Sequence, residues 1–361
     1  MQRVLLIKLT SLGDLIHALP ALSDAQDARP RIEFDWVVDE NFQEIAGWHP
    51  AVKGIITTNH REWRGALARA ETHGSISRTI KEIRANEYGL VIDGQGNFKT
   101  ALLSLFARGP RAGFDSRSVR EWVAHLAYQR RFSASKNAHA IERLRRLLAS
   151  ALDYPMPASP PDFRIQRERF VKPKVDLPAE YLVFVHNASW KTKLWPERHW
   201  AELIRKSAQA GFRVLLPWGN SQEEARAKRL ANGPEVQVLP KLSLSEIGYV
   251  IAKARACVCM DTGLSHLAAA LDVPAVTLYG STDSGLIGAS GASQEHLKSD
   301  LPCSPCRSKT CRYSSGDNPC LEGIGPERVF GELLRLAGPA SGSTLRPIPV
   351  SPVSAAARRA S

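Results

Sequence analysis

Short apolar runs alternate with amphipathic segments along the first half of this chain. An apolar run of roughly four to eight residues is typical of a buried strand, whereas apolar residues spaced three and four apart indicate a helix. Strands are predicted at 3–9, 32–39, 52–58, 89–94 and 111–115, and helices near 15–28, 41–48, 75–86, 98–108, 118–131 and 138–152. This alternation favours a parallel, doubly wound sheet with helices on both faces.

The alternation stops at a proline-rich stretch and then starts again. The segments YPMPASPPDF (154–163) and KPKVDLP (172–178) are typical of an interdomain linker. Beyond them, strands are predicted at 181–187, 213–217, 236–239, 256–260 and 275–279, and helices near 197–210, 221–231, 243–254, 264–271 and 326–337. From about residue 339 the chain is rich in Pro, Ser, Ala and Arg, and has too little apolar content to fold.

The pattern therefore divides the chain into two domains of the same α/β class. The predicted limits are a first domain at 1–165, a linker at 166–179, a second domain at 180–325, a C-terminal helix at 326–338 and a disordered tail at 339–361. Two such sheets that face each other leave a cleft between the carboxyl ends of their strands, where ligands of these folds bind. A length of 361 residues with 43% hydrophobic content is sufficient for two globular cores.

The chain has none of the usual signals for membrane insertion or export. No apolar run reaches the roughly 18 residues needed to span a bilayer. The N-terminal MQRVLLIKL leads directly into a predicted strand and does not resemble a signal peptide. We therefore expect a cytoplasmic protein, attached to a membrane surface, if at all, through its charge.

Basic residues are concentrated in the first domain of a chain whose net charge is +12. Between residues 99 and 146 the acidic side chains are Asp115, Glu121 and Glu142 alone. The basic side chains of the same stretch are Lys99, Arg108, Arg111, Arg117, Arg120, Arg130, Arg131, Lys136, Arg143, Arg145 and Arg146. Such a surface fits nucleic acid, anionic lipid or a phosphorylated glycolipid, and the alternative is a merely solvated basic face.

The six cysteines fall into two groups. Cys257 and Cys259 lie in a predicted buried strand, where a thiol normally serves as a small core side chain. The other four form a C-x2-C-x4-C-x8-C cluster at Cys303, Cys306, Cys311 and Cys320. In a reducing compartment this cluster predicts either a structural zinc site or a set of free or oxidisable thiols.

The first predicted strand ends in a turn that carries a carboxylate. KLTSLGD (8–14) lacks the G-x-G-x-x-G pattern, so it gives little support to a dinucleotide site. Asp14 lies in the first turn of the following helix, at the end of the sheet that faces the cleft. It is either a helix-capping carboxylate or a general base that takes a proton from an acceptor hydroxyl.

A second strand-to-helix turn lies in CVCMDTGLSHLAAALDVPAVTLYG (257–280). The apolar strand stops at Asp261-Thr262-Gly263, and a helix begins at once. Unpaired N–H groups and the positive end of the helix dipole at such a turn suit a diphosphate, although an ordinary helix start is the alternative. We expect Gly263 to let a ligand approach the backbone and His266 to face the same opening.

Two further strand ends of the second domain carry charged side chains. The sequence Trp190-Lys191-Thr192-Lys193 places two cations before a helix, and either could neutralise a diphosphate leaving group. Glu223, after Trp218-Gly219-Asn220, is suited to accept hydrogen bonds from ribose hydroxyls, or serves only in its own helix turn. A base on one domain with a diphosphate cradle on the other indicates glycosyl transfer. No D-x-D pair occurs, so we expect no obligatory metal or other cofactor.

These residues lie in segments that resemble the ADP-heptose:lipopolysaccharide heptosyltransferases of glycosyltransferase family 9. The similarity runs from residue 1 to about 290 and includes SLGDLIHALPAL, FDWVVDENF, VIDGQGNFK, HAIERLR, KLWPERHW, LPWGNSQEEARAKRLA, VLPKLSL, MDTGLSHLAAALDVP and LYGSTDSGLIG. The resemblance implies the α/β GT-B fold, in which two Rossmann-like, doubly wound domains face a central cleft. It is greatest to the members that add the first heptose to the inner core, whereas Cys303–Cys320 is more similar to later-acting members.

The resemblance also implies roles for particular residues. Asp14 corresponds to the catalytic base, and Gly13 lies beside it on the acceptor side. Basic residues that grip the acceptor correspond to Arg61, Arg64 and Arg120. The donor-binding positions correspond to Lys193, Glu223, Asp261, Thr262, Gly263, Leu264 and His266.

The activity that the resemblance implies is an inverting transfer of heptose from ADP-L-glycero-beta-D-manno-heptose to Kdo-lipid A at the cytoplasmic face of the inner membrane. A later-acting heptosyltransferase and a GT-B-like sugar-nucleotide epimerase are the enzymatic alternatives. A non-catalytic binder of nucleic acid or anionic glycolipid is disfavoured by the two paired turns, so we expect no nucleic-acid partner. We expect the protein to act as a monomer.

Overall fold

Two six-stranded parallel sheets form the centre of the molecule. The structure is a computed structural model and describes residues 2–59, 70–313 and 318–340. Its strands are β1 (Gln2–Ile7), β2 (Ile32–Asp39), β3 (Val52–Thr58), β4 (Leu90–Asp93), β5 (Arg111–Phe114), β6 (Arg130–Phe132), β7 (Tyr181–Val185), β8 (Arg213–Leu216), β9 (Val236–Val238), β10 (Ala256–Met260), β11 (Ala275–Tyr279) and β12 (Gln294–Lys298). The sheet orders are β3-β2-β1-β4-β5-β6 and β12-β11-β10-β7-β8-β9.

Helices cover both sheets. They are α1 (Leu12–Ile16), α2 (Leu19–Ala28), α3 (Gln43–Gly47), α4 (Ala70–Arg84), α5 (Phe98–Ser104), α6 (Ala140–Leu152), α7 (Glu197–Gln209), α8 (Ser221–Leu230), α9 (Leu244–Lys253), α10 (Gly263–Ala270), α11 (Ser284–Ile287), α12 (Pro319–Glu322) and α13 (Pro326–Ala337). Short 3-10 helices occur at Glu40–Phe42, Trp122–Ala127, Arg167–Arg169 and Lys191–Lys193. In the described residues, no helix is long and apolar enough to cross a membrane.

The predicted fold class is confirmed. Both sheets have the Rossmann strand order, in which β1 lies beside β4 in one sheet and β7 lies beside β10 in the other. The arrangement is that of the GT-B fold, with one such sheet in each half of the chain. The exact domain limits of 1–165 and 180–325 stay a prediction, and the first sheet ends at Phe132 while the second begins at Tyr181.

Two of the predicted helices differ from the structure, and one strand was not predicted. The helix expected at 15–28 is two helices, because Pro20 can occupy only the first turn of a helix and α2 therefore begins at Leu19. The helix expected at 118–131 is wrong: this stretch contains the 3-10 helix Trp122–Ala127 and then strand β6. Strand β12 (Gln294–Lys298) was not predicted, because its residues QEHLK are mostly polar and partly exposed.

The C-terminal tail lies mostly outside the described residues, since the structure describes none of 341–361. Within the predicted tail, Ala340 is buried against the second hydrophobic core. The chain that follows α13 therefore stays packed on the second domain as far as Ala340.

The two domains are in direct contact through several elements. The Glu44 carboxylate of the first domain accepts hydrogen bonds from the N–H groups of Leu244 and Ser245, at 3.3 and 2.7 Å, and so caps α9 of the second domain. The Phe170 ring, in the predicted linker, packs edge-on against Trp48 of the first domain and lies over Gly248 of the second. These contacts hold the carboxyl ends of the two sheets against each other.

Candidate functional site

Two of the turns that carry predicted site residues lie at the points where the strand order of each sheet reverses. The turn after β1 carries Asp14, and the turn after β10 carries Thr262 and Gly263. In open α/β sheets, ligands bind in the crevice at such a reversal, outside the carboxyl ends of the strands. The structure places both turns at one interface, where α1 packs directly on α10.

A basic cavity opens at the end of the first sheet. It has a volume of about 360 Å³. Its charged lining consists of Asp14 and the cationic side chains of Lys8, Arg120, Lys136 and Arg143. The Arg143 guanidinium stacks on the Phe114 ring at 5.0 Å from its centre, which fixes this cation at the wall of the cavity. Four cations around one carboxylate make this cavity suited to an anionic ligand.

Asp14 is both a capping carboxylate and a lining residue of the basic cavity. Its Oδ2 accepts hydrogen bonds from the Ser11 backbone N–H and the Ser11 hydroxyl, both at 2.9 Å. Burial alone would raise the pKa of Asp14, but Lys8 and the hydrogen bonds from Ser11 lower it below its ordinary value. Asp14 is therefore ionised at neutral pH, as a general base must be.

The acceptor-side predictions have different outcomes. Arg120 lines the basic cavity. Gly13 packs against the imidazole of His266, so a side chain at this position would collide with that ring. Arg61 and Arg64 lie outside the described residues. Sequence reasoning missed Lys8, whose ammonium is buried under the cavity and contacts the Gly94 carbonyl at 3.4 Å.

A second cavity, which we call the donor-side cavity, lies at the end of the second sheet. It has a volume of about 370 Å³. Among the predicted residues it is lined by Glu223, Thr262 and Leu264, and Leu12 of α1 contributes to it from the first domain. Helix α1 therefore borders both cavities, with Leu12 facing one and Asp14 facing the other.

Glu223 is held in a defined position at the wall of the donor-side cavity. Its Oε2 accepts a hydrogen bond from the Gly219 N–H at 2.8 Å. The Asn220 side chain caps the same helix through the N–H groups of Gln222 and Glu223, both at 3.0 Å. Because Asn220 already supplies the cap, the Glu223 carboxylate is not needed for that purpose.

Lys193 and Asp261 form an ion pair below the turn after β10. The Lys193 ammonium lies 2.7 Å from Asp261 Oδ2 and 3.3 Å from the Asp261 carbonyl oxygen. The same carboxylate oxygen accepts a hydrogen bond from the Thr282 hydroxyl at 2.6 Å. Lys191, by contrast, is exposed. Of the two predicted cations, Lys193 is thus the one that lies at the turn after β10, and Asp261 holds it there.

Two expectations about the turn after β10 are corrected. The space above the Gly263 Cα is filled by Leu12, since a Cβ there would lie 2.6 Å from the Leu12 Cβ, so the absent side chain makes room for α1 and not for a ligand. His266 does not face the opening. It is buried between Gly13, His17 and Asp261, because α1 covers this face of α10.

His266 belongs to a buried group of imidazoles that the sequence did not reveal. His17 Nε2 lies 3.1 Å from His266 Nδ1, and the His139 ring lies edge-on to His17 at 5.3 Å. His139 Nε2 also lies 3.0 Å from the Gly288 carbonyl oxygen of the second domain. Burial lowers the pKa of His266 to about 4 and lowers the pKa values of His17 and His139 as well. All three rings are therefore neutral at pH 7 and form a polar contact between the domains.

The structure does not support a zinc site at the cysteine cluster. Cys303, Cys306, Cys311 and Cys320 all line one cavity of about 610 Å³ and are free thiols. In the parts of the chain that the structure describes, no three His, Cys, Asp or Glu side chains are grouped so that they could hold a metal ion. Cys257 and Cys259 are buried in β10, in agreement with a core role.

Comparison with known proteins points to one family. The family model described as glycosyltransferase family 9 (heptosyltransferase) matches residues 76–315. Lipopolysaccharide heptosyltransferase 1 of Pseudomonas aeruginosa is 46% identical over 345 residues, which are 92% of this chain and 97% of the relative. Among solved structures, the E. coli heptosyltransferase WaaC with ADP is 40% identical, with a TM-score of 0.83 over 92% of this chain and 99% of that one.

The same E. coli enzyme has also been solved with ADP-2-deoxy-2-fluoro heptose. That structure matches with a TM-score of 0.79 at 40% identity, over 92% of this chain and 99% of that one. These similarities extend over nearly the whole length of the proteins. The chain belongs to glycosyltransferase family 9, the heptosyltransferases.

Proposed function

We propose that this glycosyltransferase transfers L-glycero-D-manno-heptose from ADP-heptose to Kdo of the lipid A-linked inner core, in lipopolysaccharide biosynthesis. The observation that carries the proposal is the position of α1. It exposes Asp14 to a cationic cavity and packs Leu12 on the first turn of α10 at a second cavity. The 46% identity to a heptosyltransferase 1 supports the first heptose over a later one.

The acceptor binds in the basic cavity in this proposal. Lys8, Arg120, Lys136 and Arg143 supply positive charge for the carboxylate of Kdo and for phosphates of lipid A. Asp14 takes the proton of the attacking hydroxyl. Its lowered pKa keeps it ionised, and Oδ1 receives no hydrogen bond from any described residue, so this oxygen is available to the acceptor.

The donor binds in the donor-side cavity. Glu223 accepts hydrogen bonds from the ribose, and the backbone N–H groups at Thr262, Gly263 and Leu264 receive the diphosphate at the start of α10. Lys193, held by Asp261, neutralises the ADP that leaves. The displacement inverts the anomeric carbon in one step through a transition state with oxocarbenium character. No step requires a metal, because the helix dipole and Lys193 stabilise the leaving group.

The setting of the reaction belongs to the same proposal. Kdo-lipid A carries acyl chains that stay in the bilayer, so the protein reaches its acceptor as a monomer at the cytoplasmic face of the inner membrane. The net charge of +12 favours contact with an anionic membrane surface.

The decisive experiment offers the purified protein ADP-heptose with either Kdo-lipid A or heptosyl-Kdo-lipid A and identifies the products by mass. We expect one heptose to be added to Kdo-lipid A. Transfer to heptosyl-Kdo-lipid A alone would make the protein a later-acting heptosyltransferase. Conversion of ADP-heptose to an epimer without any acceptor would make it an epimerase, and either result would overturn the proposal.

A further inference from the structure

Six large apolar side chains of the first domain are exposed on two neighbouring segments. They lie on α5, at its C-terminal cap Leu105 and on the 3-10 helix Trp122–Ala127, and we call them the apolar patch. The exposed fractions are 54% for Phe98, 44% for Leu102, 51% for Leu105, 63% for Trp122, 44% for Val123 and 57% for Leu126. Scattered apolar side chains are normal on a protein surface, but a contiguous group of this kind marks an interaction site.

The two segments of the apolar patch are fixed to each other and to the core. Phe98 and Leu102 of α5 and Leu105, its C-terminal cap, follow one helical stripe, while Ala101 and Leu103 on the opposite side are buried. The Glu121 carboxylate, next to Trp122, accepts a hydrogen bond from the Phe98 N–H at 2.9 Å. The patch is therefore a formed surface of the folded domain.

Basic residues are the sequence neighbours of both segments of the patch. Lys99 and Arg108 accompany α5, Arg120 precedes the 3-10 helix, and Arg130 and Arg131 follow it. Arg108, Arg120, Arg130 and Arg131 are exposed, and none of the five forms an ion pair within the described residues. An apolar centre with a cationic border is the charge pattern that suits the headgroup region of an anionic bilayer.

The apolar patch also adjoins the basic cavity. Arg120 lines that cavity and, in addition, a groove of about 580 Å³ whose walls include Phe98, Lys99 and Glu121. A surface that rests on the bilayer at the patch would therefore present the basic cavity to a sugar held just above the headgroups.

We propose that the apolar patch is the surface by which this protein docks on an anionic phospholipid bilayer. The aromatic ring of Trp122 and the leucine side chains enter the boundary between headgroups and acyl chains, and the basic residues around them contact lipid phosphates. The proposal rests on the proposed function for its purpose, since a lipid-anchored acceptor is what makes docking useful. Its binding test, however, requires no catalysis.

The first test measures sedimentation of the full-length protein with vesicles of zwitterionic lipid alone or with one quarter anionic lipid. The variant Trp122→Ser/Leu126→Ser should bind the anionic vesicles at least about tenfold more weakly than the wild type. The reason is that two apolar side chains that enter the bilayer in the wild type are lost. Val171→Ser is the matched control, since Val171 is 54% exposed and lies outside the patch. This control should bind like the wild type, and thermal unfolding should be unchanged in both variants.

The second test compares transfer to Kdo-lipid A in vesicles with transfer to a water-soluble Kdo glycan without acyl chains. The patch variant should lose vesicle activity and keep soluble activity, because neither substituted residue lines the basic or the donor-side cavity. Equal vesicle binding by wild type and patch variant would overturn the docking proposal. A change in oligomeric state without a change in vesicle binding would assign the patch to a protein interface and overturn it too. Absence of transfer to either acceptor would refute the proposed function alone.

Discussion

Asp14 caps its own helix and also lines the basic cavity. Both hydrogen bonds from Ser11 end on Oδ2, which caps α1, and Oδ1 is left to the cavity. The chain contains a matching pair at the start of α9, where the Ser243 N–H donates to Glu246 Oε2 at 2.8 Å and the Glu246 N–H donates to the Ser243 hydroxyl at 3.2 Å. Glu246 lines neither the basic nor the donor-side cavity, so it is a capping carboxylate without the cavity position of Asp14.

We predict that Asp14→Asn lowers kcat by roughly 10²-fold or more while the affinity for ADP stays nearly constant, because the amide cannot accept the acceptor's proton. The matched control, Glu246→Gln, should lose about 1 kcal/mol of unfolding free energy or less and keep its kcat. Steady-state kinetics, ADP titration and denaturant unfolding of the two variants check this. Equal kcat values for Asp14→Asn and wild type would remove Asp14 from the mechanism.

Single residues were predictable where a strand ends in a turn and a helix follows. That pattern located Asp14, Thr262 and Glu223 at the cavities, because chain geometry places such turns at the carboxyl edge of a sheet. It could not locate His17 and His139. These residues meet His266 only after two domains have packed, and nothing in their local sequence distinguishes them from ordinary helix residues.

At the scale of elements, the contact between α1 and α10 depends on two glycines. A Cβ on Gly263 would lie 2.6 Å from the Cβ of Leu12, and a Cβ on Gly13 would collide with Cδ2 of His266. Real Cβ atoms do not approach other atoms so closely without a shift of one helix. The glycines therefore set the distance between the two helices, and with it the distance between the Asp14 carboxylate and the turn after β10.

We predict that Gly263→Ala lowers the unfolding free energy by about 1 to 3 kcal/mol and raises KM for the donor, since α1 must move away from α10. Gly331→Ala is the control: Gly331 lies in α13 with no atom within 4 Å of its added Cβ, so alanine should be neutral or stabilise by up to about 1 kcal/mol. Gly263→Ala with wild-type stability and KM would contradict the tight packing.

Elements were predictable from the sequence when one face is apolar and the other polar. Helix α6 fits that description and occurs as expected. Strand β10 was predictable for another reason, because its residues ACVCM form a continuous apolar run that is buried throughout. The 118–131 stretch does not, because Tyr128 turns inward to donate a hydrogen bond to Asp93 at 2.6 Å and thereby ends the short 3-10 helix before β6. In that stretch one tertiary contact outweighs the helical spacing of its apolar residues.

The two-domain arrangement of the whole molecule followed from the repeated alternation of strands and helices and from the prolines between the two rounds. The contacts that fix one domain on the other did not follow, because they join residues far apart in the chain. Glu44 caps a helix 200 positions later, and Phe170 fits beside Gly248 only because that residue lacks a side chain. Such pairs become visible only in three dimensions.

The buried imidazoles make the domain contact sensitive to acid. His266 is surrounded by His17, His139, Asp14, Asp261 and Lys193, and burial lowers its pKa from 6.5 to about 4. The unfolded chain therefore takes up a proton near pH 6.5, whereas the folded protein resists protonation until about pH 4. The contribution of His266 to the unfolding free energy is therefore fully present above pH 6.5 and is lost as the pH falls from 6.5 towards 4. From His266 alone, the unfolding free energy can fall by at most about 3 kcal/mol.

His49 and His186, with pKa values lowered by burial to about 4 and about 3, act in the same direction, so the wild type alone cannot isolate His266. We therefore predict the difference between wild type and His266→Asn. Asparagine removes the titrating ring, so the wild type's advantage in unfolding free energy should be greatest above pH 6.5 and should shrink on acidification. Urea unfolding at half-unit steps from pH 8 to pH 4 measures it. A difference that stays constant over this range would mean that the folded protein binds a proton at His266 as readily as the unfolded chain does. The contact between His17 and His266 would then not depend on a neutral His266 ring, and this explanation of the acid sensitivity would be wrong.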